Sequence, residues 1–371
     1  MGSKVLNGVG ERNLIHRIRT IVREYGGHEL MLDDSAMVPD HGHAGATWIT
    51  TDPCPVPNLV QRYEMGDYYH AGWLCVVKSV SDLAAMGACP TGVVVSVDFP
   101  VDTRVDDFDS FFRGVVECVS AHGTALLGGN IKEAQDKPHA VSCAIGTTDS
   151  SKALFRGNAN PGDLLFVVDR ADWGGFWAGI ASHLRKDQCS ALPDGLLSSV
   201  RDMALKPRAK VKQGQVLLAE APPAFCMDNS DGLLASAFDL AKSMDIDVML
   251  TLEGSLLDPS IQKVAQACDC DARAWALGWG SCHLLCAADK ATVTRAEAVL
   301  RTVGSELVIA GEVRKGNGQV YVNGQLISQS TSASLRGDQF NPASFWQIGP
   351  KQYTEDMLSR SLEEIIGHHV P

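Results

Sequence analysis

The stretch Ser79-Val80-Ser81-Asp82-Leu83-Ala84-Ala85-Met86-Gly87-Ala88-Cys89-Pro90 is the most informative segment of the chain. It places a lone carboxylate, Asp82, inside an apolar run that starts near Trp73 and stops at a glycine and a proline, the usual residues at a helix end. A carboxylate in such a run costs free energy unless a partner offsets its charge. Two explanations stay open at this point: Asp82 caps a turn or meets a partner in the core, or it binds a metal ion.

Three further acidic clusters lie at turn-like positions beside apolar runs. They are Leu32-Asp33-Asp34-Ser35-Ala36, Thr50-Thr51-Asp52-Pro53 and Cys226-Met227-Asp228-Asn229-Ser230-Asp231-Gly232. Each can lie at the end of a strand or the start of a helix, where side chains from distant segments converge. Carboxylate oxygens suit magnesium, which a few carboxylates hold together with substrate phosphates. The pattern therefore favours a nucleotide-dependent enzyme without a Walker loop.

These motifs, with others in the same order, resemble the thiamine-monophosphate kinases, whose superfamily also contains aminoimidazole-ribonucleotide synthetase. Besides the acidic segments, the matching stretches are Gly10-Glu11 with Leu14-Ile15, Ser81 to Ala88, Gly128-Gly129-Asn130, Arg156-Gly157, Pro161-Gly162-Asp163, and Pro207-Arg208 with Gln213-Gly214. Together they cover most of the chain. The resemblance implies a two-domain PurM-like fold of the α/β (α+β) class, and a homodimer in which the N-terminal domains form a β-barrel across the interface.

The resemblance also implies roles for individual residues around ATP and Mg²⁺. The expected ligands of magnesium and of metal-bound phosphate are Asp33, Asp34, Asp52, Asp82, Asp228 and Asp231. The expected catalytic residues are Asp228, Ser230 and Asp231, although Ser230 could instead cap the following helix. The expected nucleotide contacts are Gly128, Gly129, Asn130 and Arg156, since glycine lets the backbone approach phosphates and a guanidinium suits a phosphate.

Departures from the family pattern fall mainly on the side of the second substrate. Asn130 stands where the family has an aspartate, and Gly278 to Leu284 replaces an acidic segment. The loop after Asp52 carries prolines and Asn58 instead of the family's residues. We therefore expect ATP and magnesium binding to persist and the acceptor to differ from thiamine monophosphate. Candidate acceptor contacts, or alternatively members of a repacked core, are Trp279, Cys282 and His283.

Three functions follow as hypotheses. The first is a kinase that transfers the γ-phosphoryl group of ATP to a small-molecule acceptor. The second is an enzyme that phosphorylates an amide or carbonyl oxygen so that amidation, cyclisation or dehydration can follow. The third is a nucleotide-binding dimer without turnover, which retention of the aspartates disfavours. The first two differ in whether a phosphorylated product accumulates or inorganic phosphate is released.

Composition narrows the class of protein. The chain has 371 residues, 45% of them hydrophobic and 20% charged, with a formal net charge of −12. This composition predicts a soluble, cytoplasmic protein without a membrane segment, and the negative charge argues against a nucleic-acid partner. The 11 cysteines lack a CxxC pair and are interpreted as small buried side chains. A zinc site at Cys268, Cys270, Cys282 and Cys286 is a minor alternative, because the spacing fits no common motif.

Periodicity and turn residues predict two α/β domains, 1–152 and 153–371. In the first we expect helices at 11–25, 69–86 and 106–122, strands at 29–32, 47–51, 92–99, 124–127 and 139–147, an irregular loop at 53–67 and a turn at 128–130. In the second we expect helices at 174–184, 206–219, 230–243, 258–267 and 291–302, and strands at 163–168, 224–227, 248–250, 284–287, 307–313 and 320–327.

Overall fold

Two β-sheets with helices packed against them form the described part of the chain. The computed structural model describes residues 11–24, 33–38, 45–149, 152–336 and 348–367, so the strand expected at 29–32 lies outside it. The elements up to residue 149 are α1 (Glu11–Glu24), β1 (Ala36–Val38), β2 (Gly45–Pro55), α2 (Leu59–Arg62), α3 (Tyr68–Ala85), β3 (Cys89–Pro100), α4 (Val105–Ala121), β4 (Leu126–Ala134) and β5 (His139–Asp149).

The first sheet has five strands in the order β1-β2-β5-β3-β4. Strands β2 and β5 are antiparallel along their whole length, from Gly45 opposite Asp149 to Pro55 opposite His139. Strand β3 is antiparallel to β5 and parallel to β4. Because β4 has, within the described residues, a neighbour only on its β3 side, it forms an open edge of this sheet.

Helix α3 carries the stretch 79–85 between the first sheet and the second half of the chain. Asp67 caps its N-terminus in a capping box with His70, and the helix ends before Gly87, whose φ is +68°. Two glycines allow α3 to pack closely on α4. A Cβ at Gly72 would lie 1.9 Å from the carbonyl oxygen of Phe111, and one at Gly114 would lie 1.9 Å from that of Tyr69.

The turn predicted at Gly128-Gly129-Asn130 is wrong, because these residues lie inside strand β4. The strand pairs with β3 from Val93 to Pro100, with a register shift next to Val94. A Cβ at Gly129 would lie 1.8 Å from the carbonyl oxygen of Val95. The glycine therefore serves the close approach of two strands, a use that local sequence does not distinguish from a turn.

The irregular loop predicted at 53–67 is wrong in part. Strand β2 continues through Pro53 to Pro55, and Asn58 caps the short helix α2. Strand β1 pairs with β2 only as far as Ile49, so the later part of β2 has no strand on that side among the described residues. A proline can occupy such an edge because its missing N–H removes no interstrand hydrogen bond.

The second sheet has seven strands in the order β12-β11-β8-β10-β6-β9-β7. Its elements are β6 (Leu164–Val168), α5 (Gly175–Leu184), α6 (Asp194–Leu205), α7 (Val211–Glu220), β7 (Phe225–Asp228), α8 (Leu233–Met244), β8 (Ile246–Leu250), α9 (Pro259–Ala267), α10 (Ala272–Leu277), β9 (Leu284–Ala288), α11 (Lys290–Thr302), β10 (Leu307–Lys315), β11 (Val320–Val322), β12 (Gln325–Leu326), α12 (Gln329–Leu335), α13 (Pro350–Ser359) and α14 (Leu362–Gly367).

Two helix starts differ from the prediction. The helix expected from Lys206 begins at Val211, because tertiary hydrogen bonds hold the preceding segment extended: Trp73 Nε1 donates to the Pro207 carbonyl oxygen, and the Ala209 N–H donates to His122. Ser230 does not cap α8, whose N-cap position is Gly232. Helices α6, α10, α12, α13 and α14 were not predicted.

One hydrophobic cluster joins the two sheets. Side chains of β2, β3, β5 and α3 pack with α7 and with one face of β6, β7 and β9. The other face of the second sheet packs against α5, α8 and α9. The boundary expected between residues 152 and 153 stays a prediction. Among the residues with described positions, no helix is long and apolar enough to cross a bilayer.

Candidate active site

Four carboxylates from distant parts of the chain converge where α3 meets strand β7. Asp33 and Asp34 precede β1, Asp82 lies on α3, and Asp228 ends β7. The Asp228 N–H donates a 3.0 Å hydrogen bond to Asp34 Oδ2, and Ser81 Oγ donates a 2.5 Å hydrogen bond to Asp228 Oδ1. These contacts join all three segments, and we call Asp33, Asp34, Asp82 and Asp228 the carboxylate cluster.

Arg156 supplies positive charge to this cluster. Its guanidinium forms an ion pair with Asp34, whose side chain is only 2% exposed, and its backbone N–H donates to Asp33 Oδ2 at 3.1 Å. Arg156 Nε is buried without a hydrogen-bond partner in the part of the chain that the structure describes. Arg156 therefore lies at the predicted site, and its side chain is 33% exposed, so part of it is accessible to an anionic ligand.

Burial and mutual repulsion disfavour the charged form of the cluster. Burial, with a further contribution from Asp34, raises the pKa of Asp33 to about 6 and that of Asp228 to about 7. Burial and the Asp52 carboxylate raise the pKa of Asp82 well above its usual value, against the effect of a 2.6 Å hydrogen bond from Thr50. Such crowded oxygens suit a hard divalent cation, which would supply the missing positive charge. Among the described residues, no three acidic, histidine or cysteine side chains are placed as a ready-made metal site, so the fit to magnesium rests on the chemistry of these carboxylates.

The two other predicted metal ligands are paired with basic side chains. Asp52 Oδ1 lies 2.9 Å from Lys78 Nζ, and Asp231 Oδ2 lies 2.5 Å from a guanidinium nitrogen of Arg336. Burial by itself lowers the pKa of Lys78, but the Asp52 carboxylate outweighs burial and the pKa lies above its usual value. Asp231 is 42% exposed, so solvent screens its ion pair more than a buried one.

Sequence reasoning missed both basic partners. Lys78 lies inside the run from Trp73 that we described as apolar apart from Asp82, one helical turn before that aspartate. A lone lysine in a buried helix is a signal that could have been used. Arg336 is 105 positions from Asp231, and no local pattern connects them.

A cleft of about 470 Å³ opens beside the cluster, between the two halves of the chain. Its polar lining includes Asp52, Lys78, Ser230 and Asp231. Its apolar lining includes Pro55, Leu59, Leu74, Phe176, Leu205 and Trp279. A small, mostly apolar molecule with one polar end could therefore bind with that end next to the carboxylates.

Aromatic side chains form one wall of the cleft. The rings of Phe176 and Trp279 have centroids 5.4 Å apart. Two hydrogen bonds hold the Trp279 residue: its Nε1 donates to the Tyr353 hydroxyl at 2.8 Å, and Trp177 Nε1 donates to its carbonyl oxygen at 2.8 Å. Trp279 is thus fixed before any ligand binds, which lowers the entropic cost of stacking against it.

The other two candidate acceptor contacts differ from each other in position. Cys282 lines the cleft. His283 is fully buried, and its Nε2 lies 2.7 Å from Asp172 Oδ1, in a network where Asp172 also contacts Lys210. The structure therefore places Trp279 and Cys282 at the cleft and gives His283 a role in the core.

Comparison with known proteins agrees with this geometry. Residues 32–148 match the family described as "AIR synthase related protein, N-terminal domain". The thiamine-monophosphate kinase of Methanospirillum hungatei is 26% identical over 241 residues, 62% of this chain and 72% of that protein. The enzyme of the same name from Corynebacterium glutamicum is 26% identical over 299 residues, 80% of this chain and 86% of that protein.

The fold is also similar to that of a solved structure. The solved structure described as "AaThiL complexed with AMPPCP and TMP" has a TM-score of 0.73 and 22% identity, and it covers 88% of this chain and 97% of its own. The chain therefore resembles thiamine-monophosphate kinases, and its residues 32–148 match the N-terminal domain of AIR-synthase-related proteins. The resemblance inferred from the motifs and the mixed α/β PurM-like fold are both confirmed.

Over the described part of this chain, the first sheet is open and forms no closed barrel by itself. Strands β5 and β3 lie between β2, which carries Asp52, and β4, which carries Gly128, Gly129 and Asn130. Three strand spacings of about 4.8 Å each put β4 roughly 14 Å from β2. Within one chain, these expected nucleotide contacts are therefore separated from Asp52.

Proposed function

We propose that this protein is an ATP- and Mg²⁺-dependent phosphotransferase that transfers the γ-phosphoryl group of ATP to a small molecule bound in the cleft. The observation that carries the proposal is the carboxylate cluster, in which partly buried Asp33, Asp34 and Asp82 and buried Asp228 lie beside a mostly apolar cleft. Similarity to thiamine-monophosphate kinases supports the same reaction class.

Magnesium would be held by the carboxylate cluster, with Asp231 as a further expected ligand on the cleft side. When bound, the metal offsets the charge of the phosphates and orients the transferred group. Arg156 would bind a phosphate oxygen through the fork of donors that Asp34 only partly occupies. Its ion pair with Asp34 holds the guanidinium in place for that contact.

Ser230 and Asp231 are the proposed catalytic side chains at the cleft, with Asp228 behind them. The Ser230 N–H donates to Asp228 Oδ2 at 3.3 Å, and the Gly280 N–H donates to the Ser230 carbonyl oxygen at 3.1 Å. These bonds hold the backbone of Ser230 between the cluster and the segment that carries Trp279. The Ser230 hydroxyl could then bind the transferred group, while Asp231 faces the acceptor.

We propose further that the acceptor differs from thiamine monophosphate. Trp279, Gly280 and Cys282 line the cleft where the family carries an acidic segment, so this wall is aromatic and uncharged here. A wall of this kind offers a stacking surface for a flat portion of the acceptor and lacks the carboxylates of the family's segment.

We also propose a homodimer that pairs the first sheets into a barrel. The β4 edge has no strand partner among the residues that the structure describes, and its side chains Leu127 and Ile131 are 59% and 61% exposed. An exposed apolar edge of this kind is a template for pairing with another strand. The superfamily resemblance favours a second copy of this chain as the partner, which would also cover Gly128 to Asn130.

Phosphorus NMR tests the function directly. The protein is incubated with ATP, Mg²⁺ and thiamine monophosphate, and then with a panel of other small acceptors. ADP together with a new phosphorylated product supports the kinase. A diphosphate formed from thiamine monophosphate would keep the kinase and rule out the changed acceptor. ADP with free phosphate, formed only when an amide or carbonyl acceptor is present, would instead favour activation, and bound but unconsumed ATP would favour a binding protein.

A further inference from the structure

Lys78 lies at the junction of the carboxylate cluster and the cleft. It precedes Asp82 by four residues on α3, and side chains at that spacing leave the same face of a helix. Its side chain is 31% exposed and lines the cleft together with Ser230 and Asp231 from the second half of the chain. A fixed positive charge is therefore present at the cleft before any metal binds.

Two hydrogen bonds to strand β2 anchor the ammonium group. Lys78 Nζ lies 2.9 Å from Asp52 Oδ1 and 3.1 Å from the carbonyl oxygen of Pro53. An ammonium group has three N–H donors, so these contacts leave one for another acceptor. A backbone carbonyl as second partner fixes the group more tightly than opposite charge alone would.

The balance of negative and positive charge at Asp52 differs from that of the carboxylate cluster. Asp33, Asp34, Asp82 and Asp228 crowd together around Arg156, so their negative charge exceeds the positive charge in contact with them. Asp52 already has a cation at contact distance. A divalent ion bound by Asp52 would lie beside the ammonium group, and like charges at such a separation repel each other strongly.

We propose that Lys78 is a resident cation that takes the place of a divalent metal ion at Asp52. The cluster would then bind magnesium without Asp52, and the whole site would hold one metal ion fewer than its carboxylates alone would allow. Lys78 acts as a positioning residue, which holds Asp52 and directs its third N–H to a phosphate oxygen of a bound substrate. This inference rests on the proposed function, because it takes the cluster as a magnesium site.

Counting bound Mn²⁺ by electron paramagnetic resonance, without nucleotide, tests the inference independently of turnover. We expect K78Q to bind one more Mn²⁺ per chain than the unmodified protein. K78R, which keeps the cation, should bind the original number, and so should the double variant K78Q/D52N. Lys263→Gln is the matched control, because Lys263 is an exposed lysine within helix α9. Circular dichroism shows whether each variant is folded.

Two results would overturn the inference. One is an unchanged Mn²⁺ count in folded K78Q, and the other is the loss of one Mn²⁺ in D52N alone, which would make Asp52 a ligand despite Lys78. The phosphorus NMR experiment separates this inference from the proposed function. An extra Mn²⁺ in K78Q without any ATP consumption would keep the role of Lys78 and reject the kinase, whereas ATP consumption without the extra ion would do the reverse.

Discussion

Ser81 donates a 2.5 Å hydrogen bond to Asp228, which joins helix α3 to strand β7 across 147 positions of the chain. Both residues are buried. The bond therefore links the two sheets at the point where the carboxylate cluster forms. Because its acceptor is a carboxylate, it belongs to the stronger class of protein hydrogen bonds.

Replacement of Ser81 by alanine should destabilise the metal-free protein. A hydrogen bond to a charged group contributes about 2 kcal/mol, and its loss leaves Asp228 with one donor fewer in a buried site. The measurement is the shift of the urea unfolding midpoint. Ser120→Ala, at an exposed position on α4, is the control and should leave the midpoint unchanged. Equal midpoints for the two variants would contradict the prediction.

Replacement of Arg156 by methionine should make stability depend on magnesium. Removing one partner of a largely buried ion pair costs about 3 kcal/mol, because Asp34 stays buried without its counter-charge. Magnesium bound at the cluster would replace that charge, so we expect it to raise the unfolding midpoint of R156M more than that of the unmodified protein. Arg314→Met removes an exposed pair with Glu312 and should show neither effect. An R156M midpoint that does not respond to magnesium would count against a metal at the cluster.

Lowering the pH should weaken the contact that His122 makes between helix α4 and the segment before α7. Its Nδ1 lies 2.8 Å from the Cys118 carbonyl oxygen, and its Nε2 accepts a hydrogen bond from the Ala209 N–H at 3.1 Å. Only the neutral ring satisfies both contacts, and burial lowers the pKa of His122 below its usual value of 6.5. The unfolded chain then binds the proton more readily, so stability is present above pH 6.5 and is lost as pH falls toward the lower pKa of the folded state.

The variant H122Q tests that assignment. Its free energy of unfolding should change less than that of the unmodified protein as the pH is lowered below 6.5, when both are followed by urea unfolding at each pH. His16→Gln, at an exposed position on α1, should keep the original pH dependence. Parallel curves for the unmodified protein and H122Q would show that His122 is not the titrating group.

Trp279 should affect acceptor binding without affecting ATP binding. Replacement by alanine removes an aromatic surface from the cleft, and loss of one stacking partner costs about 1 kcal/mol beyond the lost contact area. We expect W279A to raise KM for the acceptor at least about tenfold and to leave KM for ATP within about twofold. Y353F, which removes only the hydroxyl that holds the indole, should have a smaller effect in the same direction. Equal increases in both KM values would contradict a specific role at the acceptor.

Ile131 should control the assembly of two chains. A lysine at this position places a charge on the open edge of β4, and charged side chains on edge strands oppose pairing. Light scattering should give twice the chain mass of 39.7 kDa for the unmodified protein and the single mass for I131K. Val116→Lys, on the exposed side of α4, is the control and should remain dimeric. A single-chain mass for the unmodified protein would reject the dimer.

Patterns within short stretches were enough to predict much of the fold. Helices α3 and α4 and strands β3 and β5 lie where the apolar periodicity and the glycine and proline positions indicated. The acidic motifs, read together with their order, led to the correct superfamily. Such features depend on backbone preference and on which face of an element is apolar, and both can be recognised from a short stretch of sequence.

Other features of the fold depend on tertiary contacts between elements that are distant in the sequence. A glycine is needed at position 129 because the Val95 backbone passes close by. Ser230 does not cap its helix, because its backbone is hydrogen-bonded to Asp228 and Gly280 instead. Neither contact leaves a local signature, so local rules assigned a turn and a cap. The extended segment before α7 has the same cause, since its hydrogen bonds come from α3 and α4.

The sequence by itself determined the superfamily, the acidic motifs and most of the central helices and strands. Only the tertiary structure decided that Asp33, Asp34, Asp82 and Asp228 share one site, while Asp52 and Asp231 pair with Lys78 and Arg336. The physical reason is that six similar carboxylates carry the same local signal. What separates them is the charge of the neighbours that long-range packing brings to each one.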